Sequence, residues 1–453
     1  MDYRIEKDTM GEVRVPADKY WGAQTERSRQ NFVIGSERMP IEVVHAIARV
    51  KRAAAVANCE VGVLSEAKRD LIVRVADEIV AGTWDEHFPL SVWQTGSGTQ
   101  TNMNVNEVIA GRGNHIAGER VLHPNDDVNK SQSSNDVFPT AMHIAANDAL
   151  TRLLAESGAL RAAFARLEAD NMDAIKCGRT HLQDAVPLSF AQEISGWRGM
   201  LEAAEAQIES SAQGLRRLAI GGSAVGTGLN VPRGFVTAFL RALSADSGVA
   251  YASEDNKFYA LSSKDALAFA HGALKALACD LMKIAGDVRL LASGPRCGLG
   301  EIAIPQNEPG SSIMPGKVNP TQCEAVTMVA AQVMGNDTTI AVGASQGHLQ
   351  LNVYMPVIIY DFLQSARLLT DAMASFRTHC VEGIVADKAK MKENLDRSLM
   401  LVTALNPYIG YEKAAEVAKK AYAEGISLKE AVVALGYLSA AEYDRIVNPA
   451  DMI

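Results

Sequence analysis

The sequence has few cysteines and none of the local arrangements in which cysteines bind metals. Six cysteines are spread over 453 residues, without a C-x-x-C pair or a tight cluster. This dispersion favours reduced thiols in the cytoplasm and disfavours a zinc or iron–sulfur site, although a site built from distant cysteines stays open as the weaker alternative. We therefore expect a cytoplasmic protein with no metal and no cofactor.

The chain also lacks a long uncharged apolar run and any cluster of basic residues. No stretch is long enough to span a bilayer, and the segment Met1–Asp8 carries acidic residues without the apolar core of a signal peptide. The net charge is −9, and no run of Lys and Arg offers a nucleic-acid or membrane footprint. The expected partners are small molecules and further copies of the chain.

Alternation of apolar and polar residues at period two is not sustained anywhere, so β-structure is not predicted. Apolar residues instead recur at 3-4 spacing over 194–218 and 267–291, with a third helix predicted from Pro139 to about Asn171. Two more helices are predicted over about 322–334 and 357–379. The pattern predicts an all-α fold whose spare apolar faces pack against other subunits, unless one chain's own bundle uses them all.

The length and the 48% hydrophobic content predict a large core and two or three domains. A polar, turn-rich stretch precedes residue 133, and short charged helices are predicted after about residue 386. We therefore divide the chain into an N-terminal helical domain over 1–132, a central long-helix bundle over 133–388 and a small C-terminal helical domain over 389–453.

The run Gly310–Pro320 is the most informative segment, because it combines helix breakers, two hydroxyls, a cation and an amide. Two prolines and two glycines exclude regular helix there, while the following residues are predicted to be helical. Lys317, Asn319 and the loop N–H groups suit binding of a carboxylate, and Ser311 and Ser312 are candidates for the reacting group. A plain surface connection between two helices is the alternative on composition alone.

Four other segments combine small polar residues with turn formers, each just before a helix or between helices. Such groups at helix N-termini bind carboxylates or phosphates, although each segment alone is more often an N-cap. An anion site in an acidic protein needs local cations, and Arg179, Lys130 and Lys317 lie in or beside these motifs. The four segments are Thr95–Asn104, His123–Asp126, Ser131–Asp136 and Gly178–Gln183.

Three partial motifs are rejected. Gly96-x-Gly98 lacks the third glycine and the βαβ unit of a dinucleotide site, and Gly316-Lys317 is followed by Val318 instead of the Ser or Thr of a phosphate loop. Gly343–Gly347 formally matches the nucleophile elbow of α/β hydrolases around Ser345, but its predicted surroundings are helical.

Taken together, the five segments resemble the motif regions of the fumarase/aspartase superfamily in order, and the resemblance covers essentially the whole chain. Within the superfamily, Lys317–Glu324, Ser133–Asn135 and Leu405–Tyr411 look like class II fumarase, the iron-independent kind. One segment, His348–Pro356, partly resembles the aspartase version.

This resemblance implies an all-α, three-domain fumarase/aspartase-like fold, with a central long-helix bundle that forms the core of a homotetramer and active sites shared between subunits. The implied reaction is the reversible anti-elimination of water from L-malate to fumarate, in the tricarboxylic acid cycle. The implied catalytic residues are Ser311 as base, His181 as acid acting through water, and Glu324 orienting the imidazole. The residues implied to bind the substrate are Ser97, Thr99, Asn104, Ser133, Ser134, Asn135, Thr180, Lys317 and Asn319.

The segment His123, Pro124, Asn125 and Asp126 matches a second anion site of the family, and an Asx-turn before Asp127 is the alternative. Two rival functions stay open at this point. Aspartate ammonia-lyase performs the same elimination with ammonium as the leaving group, and the superfamily has also produced non-catalytic structural proteins.

Overall fold

The computed structural model describes residues 2–453, which form sixteen α-helices and four two-stranded sheets. The helices are α1 (Ala23–Asn31), α2 (Ile41–Glu60), α3 (Glu66–Val80), α4 (Thr99–Ala117), α5 (Ser134–Ala169), α6 (Phe190–Leu215), α7 (Phe235–Ser247), α8 (Lys257–Ser262), α9 (Asp265–Leu291), α10 (Thr321–Ala344), α11 (Met355–His379), α12 (Lys388–Arg397), α13 (Asn406–Ile409), α14 (Tyr411–Glu424), α15 (Leu428–Ala434) and α16 (Ala440–Ile446). The strands are β1 (Tyr3–Asp8), β2 (Gly11–Pro16), β3 (Ile175–Thr180), β4 (Gln183–Ser189), β5 (Arg217–Leu218), β6 (Ala252–Ser253), β7 (Ile302–Ala303) and β8 (Val385–Ala386). The prediction of an all-α fold class is confirmed.

The five predicted long helices are present as α5, α6, α9, α10 and α11. Their buried faces follow the predicted 3-4 spacing, as Leu267, Leu274 and Leu281 of α9 show with at most 1% exposure. The prediction for α10 was too short, because this helix continues ten residues beyond residue 334 to Ala344. Leu218, predicted to close the repeat of α6, lies instead in β5.

The predicted start of α5 at Pro139 was wrong, because the helix begins five residues earlier at Ser134. The backbone N–H of Ser133 donates to Asp136 Oδ1 at 2.9 Å, and the N–H of Asn135 donates to Ser133 Oγ at 3.3 Å. These contacts cap the helix N-terminus ahead of the proline. Pro139 therefore lies inside the helix, at its sixth residue, where it lacks the N–H that would otherwise donate to the carbonyl four residues earlier.

Strands are more frequent than the sequence predicted, although all are short. β1 pairs antiparallel with β2, β3 with β4 and β7 with β8, whereas β5 and β6 pair in parallel. The segment Gly178–Gln183 lies between helices α5 and α6, as predicted, but it forms the end of the β3–β4 hairpin, which was not predicted. A bulge interrupts this hairpin at Gly178, where an added Cβ would lie 2.6 Å from the carbonyl oxygen of Val186.

The chain divides into two compact units, and each long helix contributes one part to each unit. The first comprises residues 1–154, 204–278 and 331–369, and the second comprises 155–203, 279–330 and 370–453. In the second unit, Trp197 contacts Phe164 and Phe190, with ring centroids 5.8 and 6.0 Å apart. The short C-terminal helices α14 and α15 enclose a separate apolar cluster around Leu405 and Val417.

Within residues 2–453, no helix is long and apolar enough to cross a membrane. The same residues contain no group of three or more His, Cys, Asp or Glu side chains arranged to hold a metal ion.

Candidate active site

Two helix N-termini meet in the first unit and bring predicted substrate-binding residues together. α4 begins at Thr99 after Gly98, whose φ of 71° is a left-handed conformation that glycine adopts without strain. Ser97 Oγ lies 2.8 Å from Thr99 Oγ1. Asn102, one turn into α4, donates from Nδ2 to Ser134 Oγ at 2.8 Å, which joins the first turns of α4 and α5. Hydroxyls at helix N-termini are groups of the kind that bind anions, and binding of the substrate at these two N-termini stays a prediction.

A buried polar network holds the loop that precedes α5. Lys51 of α2 has no exposed surface, and its Nζ donates to Asn129 Oδ1 at 2.8 Å and to Gln132 Oε1 at 2.9 Å. Asn102 and Asn106 also donate to Asn129 Oδ1, at 3.3 and 3.2 Å. Burial lowers the pKa of Lys51 to about 7, and the carboxylate of Asp136 opposes this shift. Sequence reasoning missed this network, because a lysine inside a helix normally indicates a solvated face.

Asp136 joins the same loop to a second loop of the first unit. Its carboxylate is buried and accepts from the backbone N–H groups of Ser133, Gly221 and Ser223 at 2.9 to 3.0 Å. Asn135 Nδ2 donates to the carbonyl of Ala224 at 2.8 Å. The triplet Ser133–Asn135 is therefore fixed from both ends by backbone contacts.

Asn104 differs from the other predicted binding residues because it is buried, with 1% exposure. Its Nδ2 donates to the carbonyl of His87 at 3.1 Å. The structure therefore gives this amide a packing contact, and its role in binding substrate stays a prediction.

The aspartase-like segment His348–Pro356 packs against the motif that begins at Thr95. The backbone N–H of Met355 donates to the carbonyl of Gly96 at 3.0 Å, and a Cβ at Gly96 would lie 1.5 Å from the carbonyl oxygen of Val353. Only glycine fits this approach. The segment is thus in direct contact with the residues that precede α4.

The segment predicted as a second anion site forms a π-helical turn, Pro124–Val128, with His123 at its N-terminus. His123 Nδ1 accepts from the N–H groups of Asn125 and Asp126 at 3.3 and 3.1 Å. The His123 N–H donates to Asp127 Oδ2 at 2.9 Å. A cavity of about 970 Å³ borders His123, Pro124 and Asn125, and Arg4, Lys7, Lys19 and Arg120 also line it. Anion binding at this segment stays a prediction.

In the second unit, His181 lies at the tip of the β3–β4 hairpin. Thr180 pairs with Gln183, and the two residues between them, His181 and Leu182, have φ values of 57° and 58°. Such φ values match a two-residue hairpin turn but are strained for residues with a side chain, at a cost of about 1–3 kcal/mol each. Strain of this kind concentrates at functional sites, and Thr180 and His181 are both exposed.

The signature loop carries Ser311 in a turn whose N–H groups bind its hydroxyl. Ser311 Oγ accepts from the backbone N–H groups of Ile313 at 3.3 Å and Met314 at 3.1 Å. The Lys317 N–H donates to the Met314 carbonyl at 3.3 Å across a turn that contains Pro315 and Gly316. The loop therefore contains a hydroxyl that accepts two backbone N–H groups and, six residues later, the exposed side chain of Lys317.

The remaining predicted residues of the second unit lie at the end of this loop and the start of α10. Asn319 Nδ2 donates to the carbonyl of Gly310 at 2.6 Å, which leaves its second amide hydrogen free for a ligand. Glu324 lies in the first turn of α10 and is exposed. Within residues 2–453 of one chain, no hydrogen bond joins His181 to Glu324.

Two further expectations can be compared with the geometry. Arg179, expected as a cation for the substrate, is engaged by the buried carboxylate of Glu301. Ser345 follows directly after α10, and its hydroxyl donates to the carbonyl of Val342 at 2.8 Å. A nucleophile elbow needs a strand before the serine, so the rejection of a hydrolase is confirmed.

Comparisons with known proteins agree with this architecture over the whole chain. The family model described as "Lyase" matches residues 11–335, and that described as "Fumarase C C-terminus" matches residues 401–453. The class II fumarate hydratase of Bacillus cereus is 58% identical over 458 aligned residues, and that of Bacillus subtilis is 56% identical over 458. Each comparison covers 100% of this chain and 99% of the relative.

Solved structures give the same result. The class II fumarase of Schistosoma mansoni has a TM-score of 0.97 and 42% identity, with 100% of this chain and 99% of that chain covered. A cobalt-bound structure of a fumarate lyase:delta crystallin from Brucella melitensis has a TM-score of 0.96 and 40% identity, with the same coverage. The chain therefore belongs to the lyase family and, within it, to the class II fumarate hydratases.

Proposed function

We propose that the chain catalyses the reversible anti-elimination of water from L-malate to give fumarate, as a hydro-lyase of the tricarboxylic acid cycle. The observation that carries the chemistry is the Ser311 hydroxyl, held by two backbone N–H groups in a loop with Lys317. The reaction needs a base for the proton on the carbon next to a carboxylate, and an acid for the departing hydroxyl.

Ser311 is the proposed base. A serine hydroxyl is a weak base in water, but an alkoxide at Oγ would be stabilised by the N–H groups of Ile313 and Met314 and by the charge of Lys317. The carbanion formed on proton removal delocalises into the adjacent carboxylate as a dianionic enediolate. Lys317 and the free amide hydrogen of Asn319 suit stabilisation of that charge.

His181 is the proposed acid, protonating the leaving hydroxyl through a water molecule, with Glu324 bonded to the other ring nitrogen. The exposed, strained turn at His181 supports a functional role. Because His181 and Glu324 share no hydrogen bond within one described chain, we propose that they meet between subunits.

The two substrate carboxylates are proposed to bind at the N-termini of α4 and α5 and beside the hairpin tip. Ser97, Thr99 and Ser134 offer hydroxyls there, and the Asn102 amide donates to Ser134 Oγ. Since this bond occupies an acceptor position of Ser134, the hydroxyl hydrogen is free to donate to a carboxylate. The other residues proposed to bind substrate are Asn104, Ser133, Asn135, Thr180, Lys317 and Asn319.

We propose a homotetramer whose active sites are shared between subunits. α10 supports this, because it has no charged residue between Ala325 and Asn336 although much of its surface is exposed in one chain. An exposed uncharged helix face of this length fits packing against another copy. The exposed positions between Ala325 and Asn336 are Ala325, Met328, Ala331, Gln332 and Gly335.

Shared sites can be tested by mixing two inactive variants. Ser311→Ala and His181→Asn are each expected to lose most of their activity alone. If the serine and the histidine of one site come from different subunits, dissociation and joint reassembly restore activity in hybrid oligomers. Hybrids that form but stay inactive would place both residues in the same subunit.

The activity itself is tested by following fumarate spectrophotometrically with L-malate or L-aspartate as substrate. We expect turnover of L-malate without added metal, unchanged after treatment with a chelator. Turnover of L-aspartate alone would support the ammonia-lyase alternative suggested by His348–Pro356, and inactivity toward both would support a structural role.

A cytoplasmic location and the three-domain division at residues 132 and 388 are also proposals. Six unpaired cysteines support the location, and the separate C-terminal match over 401–453 supports the last domain.

A further inference from the structure

One buried carboxylate of the second unit, that of Glu301, binds four side-chain nitrogens. Its side chain has no exposed surface. Arg179 contacts both carboxylate oxygens, Nη2 at 2.7 Å from Oε1 and Nη1 at 3.1 Å from Oε2. Lys176 Nζ lies 3.1 Å from Oε2, and Asn394 Nδ2 donates to Oε1 at 3.0 Å. Burial alone would raise the pKa of Glu301, but the Arg179 hydrogen bonds and the Lys176 charge bring it below its ordinary value.

The backbone around Glu301 is fixed to α9, to β8 and to Asp387, the residue that follows β8. Its N–H donates to the carbonyl of Leu291 at the end of α9, and its carbonyl accepts from the N–H of Asp387, both at 2.9 Å. The next residue, Ile302, begins β7 and pairs with Ala386 of β8. The carboxylate therefore projects from a rigid position, and a side chain bound to it in a bidentate way is held in a defined orientation.

Arg179 is two residues before His181 and belongs to one of the last two residue pairs before the turn of the β3–β4 hairpin. Its partner across the hairpin is Asp184, and the strained residues His181 and Leu182 follow after Thr180. A turn that stores strain persists when its surroundings hold it in place. In the described residues of this chain, Glu301 is the one carboxylate within ion-pair distance of Arg179.

Lys176 provides an internal comparison. It is 1% exposed, and its Nζ also lies 2.7 Å from Glu193 Oε2 on α6. Its charge is therefore matched without Glu301, whereas the charge of Arg179 is not. The two carboxylates consequently differ in what they hold: Glu193 contacts Lys176 near the start of β3, whereas Glu301 also contacts Arg179, two residues before His181.

We propose that Glu301 is a positioning residue for the hydration reaction, which acts through Arg179 to hold the turn that presents His181. Glu301 does not touch the substrate in this proposal. The inference rests on the proposed function, in which His181 transfers a proton. It also explains why Arg179, a cation inside a substrate-binding motif, is directed to a buried acid.

The test is Glu301→Gln, which keeps the shape of the side chain but removes the charge and one acceptor. We expect kcat for L-malate to fall by about 10- to 100-fold, because small displacements of a catalytic group cost rates of this order, while KM changes less than about twofold. The matched control is Glu193→Gln, which removes the other carboxylate near Lys176 and should leave kcat within about twofold. Equal values of kcat in the two variants would overturn the proposal.

A second variant keeps the proposal testable if Glu301→Gln folds poorly, as circular dichroism and thermal unfolding would show. Arg179→Lys keeps the positive charge but loses the bidentate contact, so it should reproduce the fall in kcat with KM unchanged. The double variant should lose no more than either single one, because both changes break the same contact. Additive losses, or a kcat within twofold of the parent in Arg179→Lys, would contradict a role exerted through this pair.

Measurements on a His181→Asn variant distinguish failure of the positioning role of Glu301 from failure of the proposed function. We expect His181→Asn to lose most of kcat, and Glu301→Gln to have no further effect in that background. If His181→Asn is inactive but Glu301→Gln is as active as the parent, the positioning role is wrong and the function stands. If His181→Asn stays fully active, the assignment of His181 as acid fails, and the positioning role fails with it.

Discussion

The side-chain amide of Asn319 donates a 2.6 Å hydrogen bond to the carbonyl oxygen of Gly310, and this contact closes the base of the loop that carries Ser311. Gly310 is also crowded by the returning chain. A Cβ added at Gly310 would lie 2.1 Å from the carbonyl oxygen of Lys317 and 3.2 Å from the backbone nitrogen of Asn319. The two ends of the loop therefore approach more closely than any residue except glycine allows.

Gly310→Ala should consequently displace the loop without unfolding the protein. We expect kcat for L-malate to fall about 100-fold or more, because Ser311 and Lys317 would shift together relative to the substrate. Gly158→Ala in α5 is the control, since nothing lies within 4 Å of an added Cβ there and alanine favours a helix by about 1 kcal/mol over glycine. Steady-state kinetics and thermal unfolding of both variants check this. Full activity in Gly310→Ala would mean that the loop can hold Ser311 and Lys317 in place even when its two ends are forced apart.

Ser311→Ala should remove the base and leave binding intact. We expect kcat to fall by about 10²- to 10⁴-fold, the range for loss of a general base, with the affinity for substrate little changed. Ser312→Ala is the matched control, because Ser312 carries the adjacent hydroxyl and, among the described residues, the two N–H groups that stabilise an alkoxide donate to Ser311 instead. Initial rates and calorimetric binding of L-malate provide the measurement. If Ser312→Ala were the inactive variant, the two serines would exchange roles.

Asn102→Ala should weaken substrate binding by releasing Ser134. The Asn102 amide orients the Ser134 hydroxyl, so its loss should raise KM about tenfold. A tenfold change corresponds to about 1.4 kcal/mol, which is the contribution of one well-made hydrogen bond. Asn106→Ala is the control, because Asn106 shares the Asn129 contact but does not touch Ser134. Both variants should lose similar stability, since both asparagines have no exposed surface. A rise in KM of the same size in both would show that the loop, and not Ser134, was affected.

The sequence was sufficient for those parts of the fold that depend on local patterns. Apolar residues at 3-4 spacing predicted the long helices, and the composition of Gly310–Pro320 predicted an irregular loop between two regular segments. The start of α5 was placed wrongly because Pro139 was taken as a first-turn residue, whereas the contacts of Ser133 and Asp136 begin the helix earlier. A cap formed by two side chains is a weaker sequence signal than a proline.

The parts that were missed depend on contacts between distant residues. The β3–β4 hairpin has His181 and Leu182 at its turn, where Asn-Gly or Gly would be the expected signal. The residue types His and Leu therefore did not indicate the positive φ values that the structure has there. Arg179 and Glu301 are 122 residues apart, so no spacing rule could pair them. Arg179 was expected to bind an anion, and it does, but the anion is part of the chain.

Lys51 gives a prediction about pH, because its charged form is disfavoured in the folded protein. Burial lowers the pKa of Lys51 to about 7 from 10.5. Below pH 7 the amine is protonated in both the folded and the unfolded protein, so the folded protein bears the full cost of burying the charge. Between pH 7 and about 10 the unfolded chain keeps a proton that the folded chain has released, so this residue raises the free energy of unfolding by up to about 1.4 kcal/mol per pH unit. Lys51→Met should remove that increase, and its stability relative to the parent should therefore decline from pH 7 to pH 9 in denaturant titrations. Lys392→Met, at an exposed position of α12, is the control for the loss of one lysine from the chain. A course for Lys51→Met parallel to that of the parent would mean that the buried amine keeps its proton and that Asn129 and Gln132 stabilise the charge more than burial opposes it.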